Sequence, residues 1–246
     1  MKTGGFKKLK KSVSFLLIAA AVQLMVGCGF MANNREEIAK TALQEKYQEE
    51  FEITDVFPYK LGQDYYRFQA YPVDDPNLLF RGSVQLEDHS LSDSYVERKV
   101  CKKIAEQVDK NLDMLPGYYY LFTHAMGPQP IANDKTISIK EYAELDPRNL
   151  FRVELFFQPQ DASEEEVFNA LKDAFKDLPD LRGEVRFYVV NHELMTEIQE
   201  YFLSNDDIYY EFSHKMNLVP YLELKYEKGL LNMSWSEFAA AAEGML

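Results

Sequence analysis

The most chemical-looking string in this chain is Asn191-His192-Glu193-Leu194-Met195-Thr196-Glu197. A zinc-binding hydrolytic helix needs two histidine ligands one turn apart, with a glutamate between them as base. The fourth place after His192 holds Thr196, which is no usual zinc ligand, and Glu197 lies at a spacing that turns it away from His192. Asn191 capping a helix whose first turn exposes His192 and Glu193 accounts for the string without a metal. The other histidines are dispersed: His89 lies in a polar loop after Asp88, His124 follows a tyrosine run, and His214 ends a strand-like segment. No Gly-x-Ser-x-Gly elbow marks a nucleophilic serine, and no glycine-rich loop marks a phosphate cradle. The expectation is therefore no catalytic residue, no metal and no cofactor.

Acidic and aromatic clusters carry the remaining chemistry. Asp74-Asp75, Glu164 to Glu166 and Asp206-Asp207 lack the alternating carboxylates around a central glycine that a calcium loop requires, so they read as solvated surface. Tyr65-Tyr66, Tyr118 to Tyr120, Phe156-Phe157 and Tyr209-Tyr210 are adjacent aromatics. In a strand such neighbours point to opposite faces, one ring filling the core while the other covers a helix or a half-exposed face. Tyr118, Tyr119, Tyr120, Tyr209 and Tyr210 form the candidate binding surface, suited to a peptide, a glycan or another protein. Cys101 falls in the helical row Val100, Cys101, Ile104, Ala105, Val108 and Leu112, which places it on an apolar face as a buried structural thiol.

The N-terminus has a different character. Lys2, Lys7, Lys8, Lys10 and Lys11 precede an apolar run from Val13 to Val26, broken only by Ser14 and Gln23. A basic segment, a short apolar segment and a small residue in that order make a secretory leader. The run is about 14 residues, where a spanning helix needs roughly 20. It ends in Leu24-Met25-Val26-Gly27-Cys28, which resembles the lipobox of bacterial lipoproteins, with Met25 in a place where leucine is commonest. The resemblance implies cleavage between Gly27 and Cys28 and a diacylglyceryl group on the Cys28 thiol. Residues 1–27 are then the signal peptide and residues 28–34 a lipid-anchored tether. Two acyl chains hold a protein stably where one gives marginal binding.

Composition supports an exported, folded domain. The 46% hydrophobic content, with 17 Phe and 16 Tyr, buries enough apolar surface to exclude a disordered chain. The net charge is −13, and without the five leader lysines it becomes −18 over 219 residues. That excludes nucleic acid as a main partner, since phosphate binding needs a basic stripe. It also repels an anionic bilayer, so the domain stands off on its tether.

The elements that would position these groups divide into two α+β halves. In residues 35–126, an amphipathic helix from Arg35 to Phe51 precedes strands Glu52–Tyr59, Tyr65–Val73 and Leu78–Leu86. Turn residues between the strands favour an antiparallel meander. A helix from Tyr95 to Leu112 closes this half before Pro116-Gly117. The α-β-β-β-α order is architecturally similar to small cystatin-like and PepSY-like exported domains. Residues 127–246 form the second half, opened by Gly127-Pro128-Gln129-Pro130. The expected strands are Tyr118–Phe122 leading in, then Thr136–Tyr142, Leu150–Gln158, Glu184–Val190, Ile208–His214 and Tyr221–Tyr226. Ser163-Glu164-Glu165-Glu166 is a capping box opening a helix that Pro179 stops. A helix from His192 to Leu203 and a last one from Ser234 or Ser236 to Gly244 complete the chain.

These readings point to a non-enzymatic, lipid-anchored extracytoplasmic protein that binds another protein or assists an envelope system. An accessory of a secretion or conjugation machine and a toxin-immunity lipoprotein fit equally. The membrane is the partner through diacylglyceryl-Cys28, and the address is the outer face of a bacterial cytoplasmic membrane. Where the organism has an outer membrane, Gly29 is compatible with transfer to it. The alternatives are a substrate-binding lipoprotein of an importer and an envelope hydrolase using His192 and Glu193.

Overall fold

Helix α1 (residues 34–47) forms because Ala39, Leu43 and Tyr47 recur on one face and are buried, with charged residues on the other. It stops a turn before the sequence pattern does. Gln48 takes a φ of 55°, and its N–H closes on the Gln44 carbonyl at 2.8 Å, a left-handed helix end. Phe51 therefore opens strand β1 (Phe51–Phe57), still buried and 6.1 Å from the Tyr47 ring. The structure, a computed structural model, describes residues 34–57, 62–112, 115, 117–126, 132–146, 148–160, 163–178, 181–204, 222–227 and 230–242. The leader, Gly27, Cys28, Tyr209, Tyr210 and the expected strand Ile208–His214 lie outside the described residues.

The fold is α+β with two sheets. Strands β1, β2 (Tyr65–Pro72), β3 (Phe80–Gln85) and β4 (Leu91–Asp93) follow one another in chain order as an antiparallel meander. The three-residue β4 is too short for a sequence pattern to announce. The second sheet has the order β5 (Gly117–Met126), β6 (Leu150–Pro159), β7 (Arg182–Val189), β8 (Leu222–Glu227) and β9 (Leu230–Leu231). All its pairs are antiparallel except β6–β7, which run parallel and are joined through helix α4 (Glu164–Ala174).

Contacts divide the chain into two compact units. The first holds the described residues up to Ala70 together with Gly82–Ser92. Its core is Ala39, Leu43, Tyr47, Phe51, Tyr66, Phe68, Ala70 and Val84. Gly82 lies directly under the Phe68 ring, where a Cβ would collide with it. Tyr66 donates from its hydroxyl to the Arg35 carbonyl at 2.9 Å while the Arg35 guanidinium sits 5.7 Å above its ring, fastening the start of α1.

The second unit holds Tyr71–Arg81 and the described residues from Asp93 onward. Helix α2 (Tyr95–Leu112), grouped by sequence with the strands before it, belongs here and packs on β5 and α4. Its apolar row includes Cys101, which is buried. Tyr119 donates to Asp109 of α2 at 3.0 Å, and Phe175 stacks on Tyr226 at 4.9 Å, so α2 and the end of α4 cover the face bearing the odd-numbered residues of β5. Gly183 leaves room on that face for the Tyr226 ring, whose hydroxyl donates to the Phe151 carbonyl at 3.4 Å. Helix α5 (His192–Ser204) packs on the opposite face.

One expected strand is a helix. Residues Ser138 and Glu141 form a capping box, and α3 (Ile139–Leu145) follows it where Thr136–Tyr142 had been read as extended. The β-branched alternation Thr136, Ile137, Ser138, Ile139 suggested a strand. The reciprocal cap, satisfying amides that a helix start leaves orphaned, decided otherwise. The boxes at Ser163–Glu166 and Ser234–Glu237 start α4 and α6 (Trp235–Ala242) in the same way.

Candidate functional site

Asn191 caps α5 through its side-chain oxygen, which accepts from the Leu194 N–H at 2.9 Å. His192 and Glu193 are exposed in the first turn, and Thr196 donates back to the His192 carbonyl at 3.1 Å. Among the described residues no group of three His, Cys, Asp or Glu side chains gathers to hold a metal ion. The acidic turn at Asp74-Asp75 is closed by this chain's own cation, since Lys102 Nζ reaches Asp75 Oδ2 at 2.6 Å.

The tyrosine run divides as its strand position dictates. Tyr118 is 61% exposed, Tyr119 is held by Asp109 of α2, and Tyr120 packs against the cluster of Phe122, Phe156, Tyr188, Val190, Met195 and Ile198 beneath α5. Burial raises the Tyr120 phenol above its ordinary pKa. Phe156 and Phe157 are both buried, one stacked on Tyr188 at 4.7 Å and the other 5.7 Å from Phe187, so at this register both faces of the sheet are covered.

The densest chemistry lies on the α5 side of the second sheet, one step along the strands. Register places His124, Arg152, Glu184 and Lys225 in one row across β5–β8, and Phe122, Glu154, Arg186 and Glu223 in the next. Arg152 donates to Glu184 and lies 3.8 Å from Glu154 Oε1. Arg186 forms ion pairs with Glu223 at 2.9 Å and Glu184 at 3.6 Å. Glu154 is wholly buried, and Tyr188 donates to its Oε2 at 3.0 Å.

Burial governs the protonation of this cluster. Desolvation pushes the Glu154 carboxyl up to about 8, against the opposing pull of the Tyr188 hydroxyl, Arg152 and Arg186. The His124 imidazole is pushed down to about 3, first by burial and then by Arg152, Arg98 and Arg186. At neutral pH the two rows therefore hold a neutral acid at Glu154 and a neutral imidazole at His124, set among the paired side chains of Arg152, Arg186, Glu184 and Glu223. Strongly displaced pKa values mark functional candidates and structural ion-pair networks alike. Here the displaced carboxyl has no solvent-facing atom with which to meet a ligand. The cluster joins β6, β7 and β8 and holds a proton. The strings Arg152-Val153-Glu154 and Glu184-Val185-Arg186, with opposite charges two apart inside apolar strands, were the signal in the sequence that could have found it.

Two cavities lie elsewhere. One of about 440 Å³ is lined by Lys103, Thr136, Ser138, Lys140, Asp177 and Leu181. Lys103 spends one donor on the Ile137 carbonyl at 2.7 Å, and the Ser138 hydroxyl is committed to its cap. The other, about 580 Å³, runs along α1 between Glu37, Thr41 and Glu45 and the Asp88-His89 turn.

Comparison with known proteins locates the fold. No family model matches the chain, and no curated protein matches it. It is similar to the crystal structure of a DUF5037 family protein from Ruminococcus gnavus, with a TM-score of 0.64 and 17% identity over 85% of this chain and 99% of that one. At that identity the likeness is one of fold.

Proposed function

We propose that this protein is a lipid-anchored, extracytoplasmic accessory of the bacterial cell envelope that acts by binding another protein. The observation that carries the reading is Leu24-Met25-Val26-Gly27-Cys28 at the end of a basic and then apolar leader. The domain behind it suits a tether. It is strongly acidic once the leader is removed, and among the described residues no helix is long and apolar enough to cross a membrane. The ion-pair cluster on the second sheet, built around the buried Glu154, is a scaffold feature in this reading, and recognition falls to exposed aromatic surface such as Tyr118.

The test is intact mass and membrane fractionation of the protein from its native host beside a Cys28→Ala variant. The expected wild type has lost residues 1–27, carries diacylglyceryl mass and follows the membrane, while the variant does neither. An unmodified wild type in the soluble fraction overturns the reading.

A further inference from the structure

Trp235 is the single tryptophan of the chain, and it is 40% exposed at the start of α6. Its ring does not stand alone. It stacks on Phe238 at 6.1 Å and 25° and meets Phe168 of α4 at 5.5 Å, while Phe168 and Phe238 lie 5.1 Å apart and are themselves buried. A large ring held on one side by two buried rings and open on the other is a pre-organised contact surface, because little side-chain freedom is left to lose when something covers it. Tryptophan is also the residue most enriched where binding energy concentrates.

The rim around this ring is anionic. Helical side chains lean toward the N-terminus, so Phe168 lies over the turn that carries Glu164 and Glu165, four and three residues before it. Glu166 and Glu237, which close the capping boxes of α4 and α6, stand two residues from Phe168 and Trp235 and so turn to other sides of their helices. The two helix starts together offset about one unit charge, so Glu164 and Glu165 still leave the patch negative. Glu164 and Glu165 form no ion pair among the described residues. A second copy of the chain would bring like charges together, and an anionic bilayer would be repelled.

We propose that the Trp235–Phe168 surface, rimmed by Glu164 and Glu165, docks a basic segment of another protein, whose cationic groups meet the open ring and the carboxylates together. This rests on the binding role proposed above and not on the anchor.

Trp235 is its own reporter. The full chain, in non-ionic detergent, is titrated with a short tryptophan-free peptide of alternating Lys and Leu, with a Glu/Leu peptide as control. The expected result is a saturable blue shift of Trp235 emission with the basic peptide alone. Affinity should weaken about tenfold on raising salt to roughly 0.5 M, and about fivefold in Glu164→Gln/Glu165→Gln, whose two surface changes leave the caps intact. No saturable shift, an equal response to the acidic peptide, or unchanged affinity in the double variant overturns the proposal. A shift that grows with protein concentration alone assigns the surface to a second copy, and one produced by anionic vesicles alone assigns it to the bilayer. Either also overturns it. Mass and fractionation read the anchor separately, so the two failures are distinguishable.

Discussion

Both faces of the five-stranded sheet are covered at β6, by opposite means, while on β8 the charged face leaves Glu223 more than half exposed. One presents Phe151, Val153, Leu155 and Phe157 of β6 beside Val185 and Phe187 of β7 and Leu222, Leu224 and Tyr226 of β8, all buried apolar side chains. The other presents Arg152, Glu154, Glu184, Arg186 and Glu223 and joins them by ion pairs and one buried hydrogen bond. Burial on the first face is favourable by itself. On the second each charge must find a partner or give up its charge, because an unpaired buried ion costs more than a pair recovers. Glu154 takes the second course and keeps its proton.

The apolar face should break hardest. Phe157→Ala removes a fully buried ring from the apolar face of β6 and should destabilise by about 3–5 kcal/mol, read as a lower urea midpoint at unchanged slope.

The charged face should respond to pH where the apolar face cannot. The folded chain keeps a proton on Glu154 up to about pH 8, while the unfolded chain releases it near the ordinary 4.5. The folded state thus binds more protons between these values, so this contribution is fully present below about pH 4.5 and is lost as pH rises through about 8. The decline should be roughly 2–4 kcal/mol. Glu154→Gln keeps the shape and the neutral charge, and urea midpoints across that range should show the decline flattened. An equally steep decline in the variant would place the titration on another group.

Ser163→Ala sharpens the contrast at smaller scale. It strips the hydroxyl that accepts from the Glu166 N–H at the start of the crossover helix, and should cost about 1 kcal/mol without pH dependence over the neutral range. Thermal midpoints of wild type and variant at two neutral pH values check it.

What could be read from the chain follows the same division. Strands at Leu150–Gln158 and Glu184–Val190 were expected from the chain, and the two-residue period of a strand tells which of their residues share a face. It could not tell that the face with Arg152 and Glu154 is covered, since alternation of apolar and charged residues is also the pattern of a sheet open to water. That depends on elements packing from elsewhere in the chain, which no local pattern records. The helix at α3 was legible in principle, for Ser138-Ile139-Lys140-Glu141 has the spacing that identified Ser163 to Glu166. Ile137 and Ile139 on either side of Ser138 favoured the strand reading, and the cap outweighed them. His192 and Glu193 were read correctly as the exposed first turn of a capped helix because Asn191 stands immediately before them. The Trp235 surface was invisible, since Phe168 and Trp235 are brought together only by α4 packing on α6.

The parallel pairing of β6 with β7 sets the order in which the second sheet can assemble. Phe151 sits opposite Gly183, with the whole crossover through α4 between them, whereas Tyr226 faces Leu231 only five residues further along the chain. A hairpin closes over a handful of bonds, but the central pair must wait for a long loop to close, and the entropy of that closure is lost before any ladder bond repays it. The central pair of the second sheet is thus the one whose meeting limits how fast that sheet forms, and the Ser-x-x-Glu starts of α3, α4 and α6, each complete within one turn of chain, are local structure available before it meets.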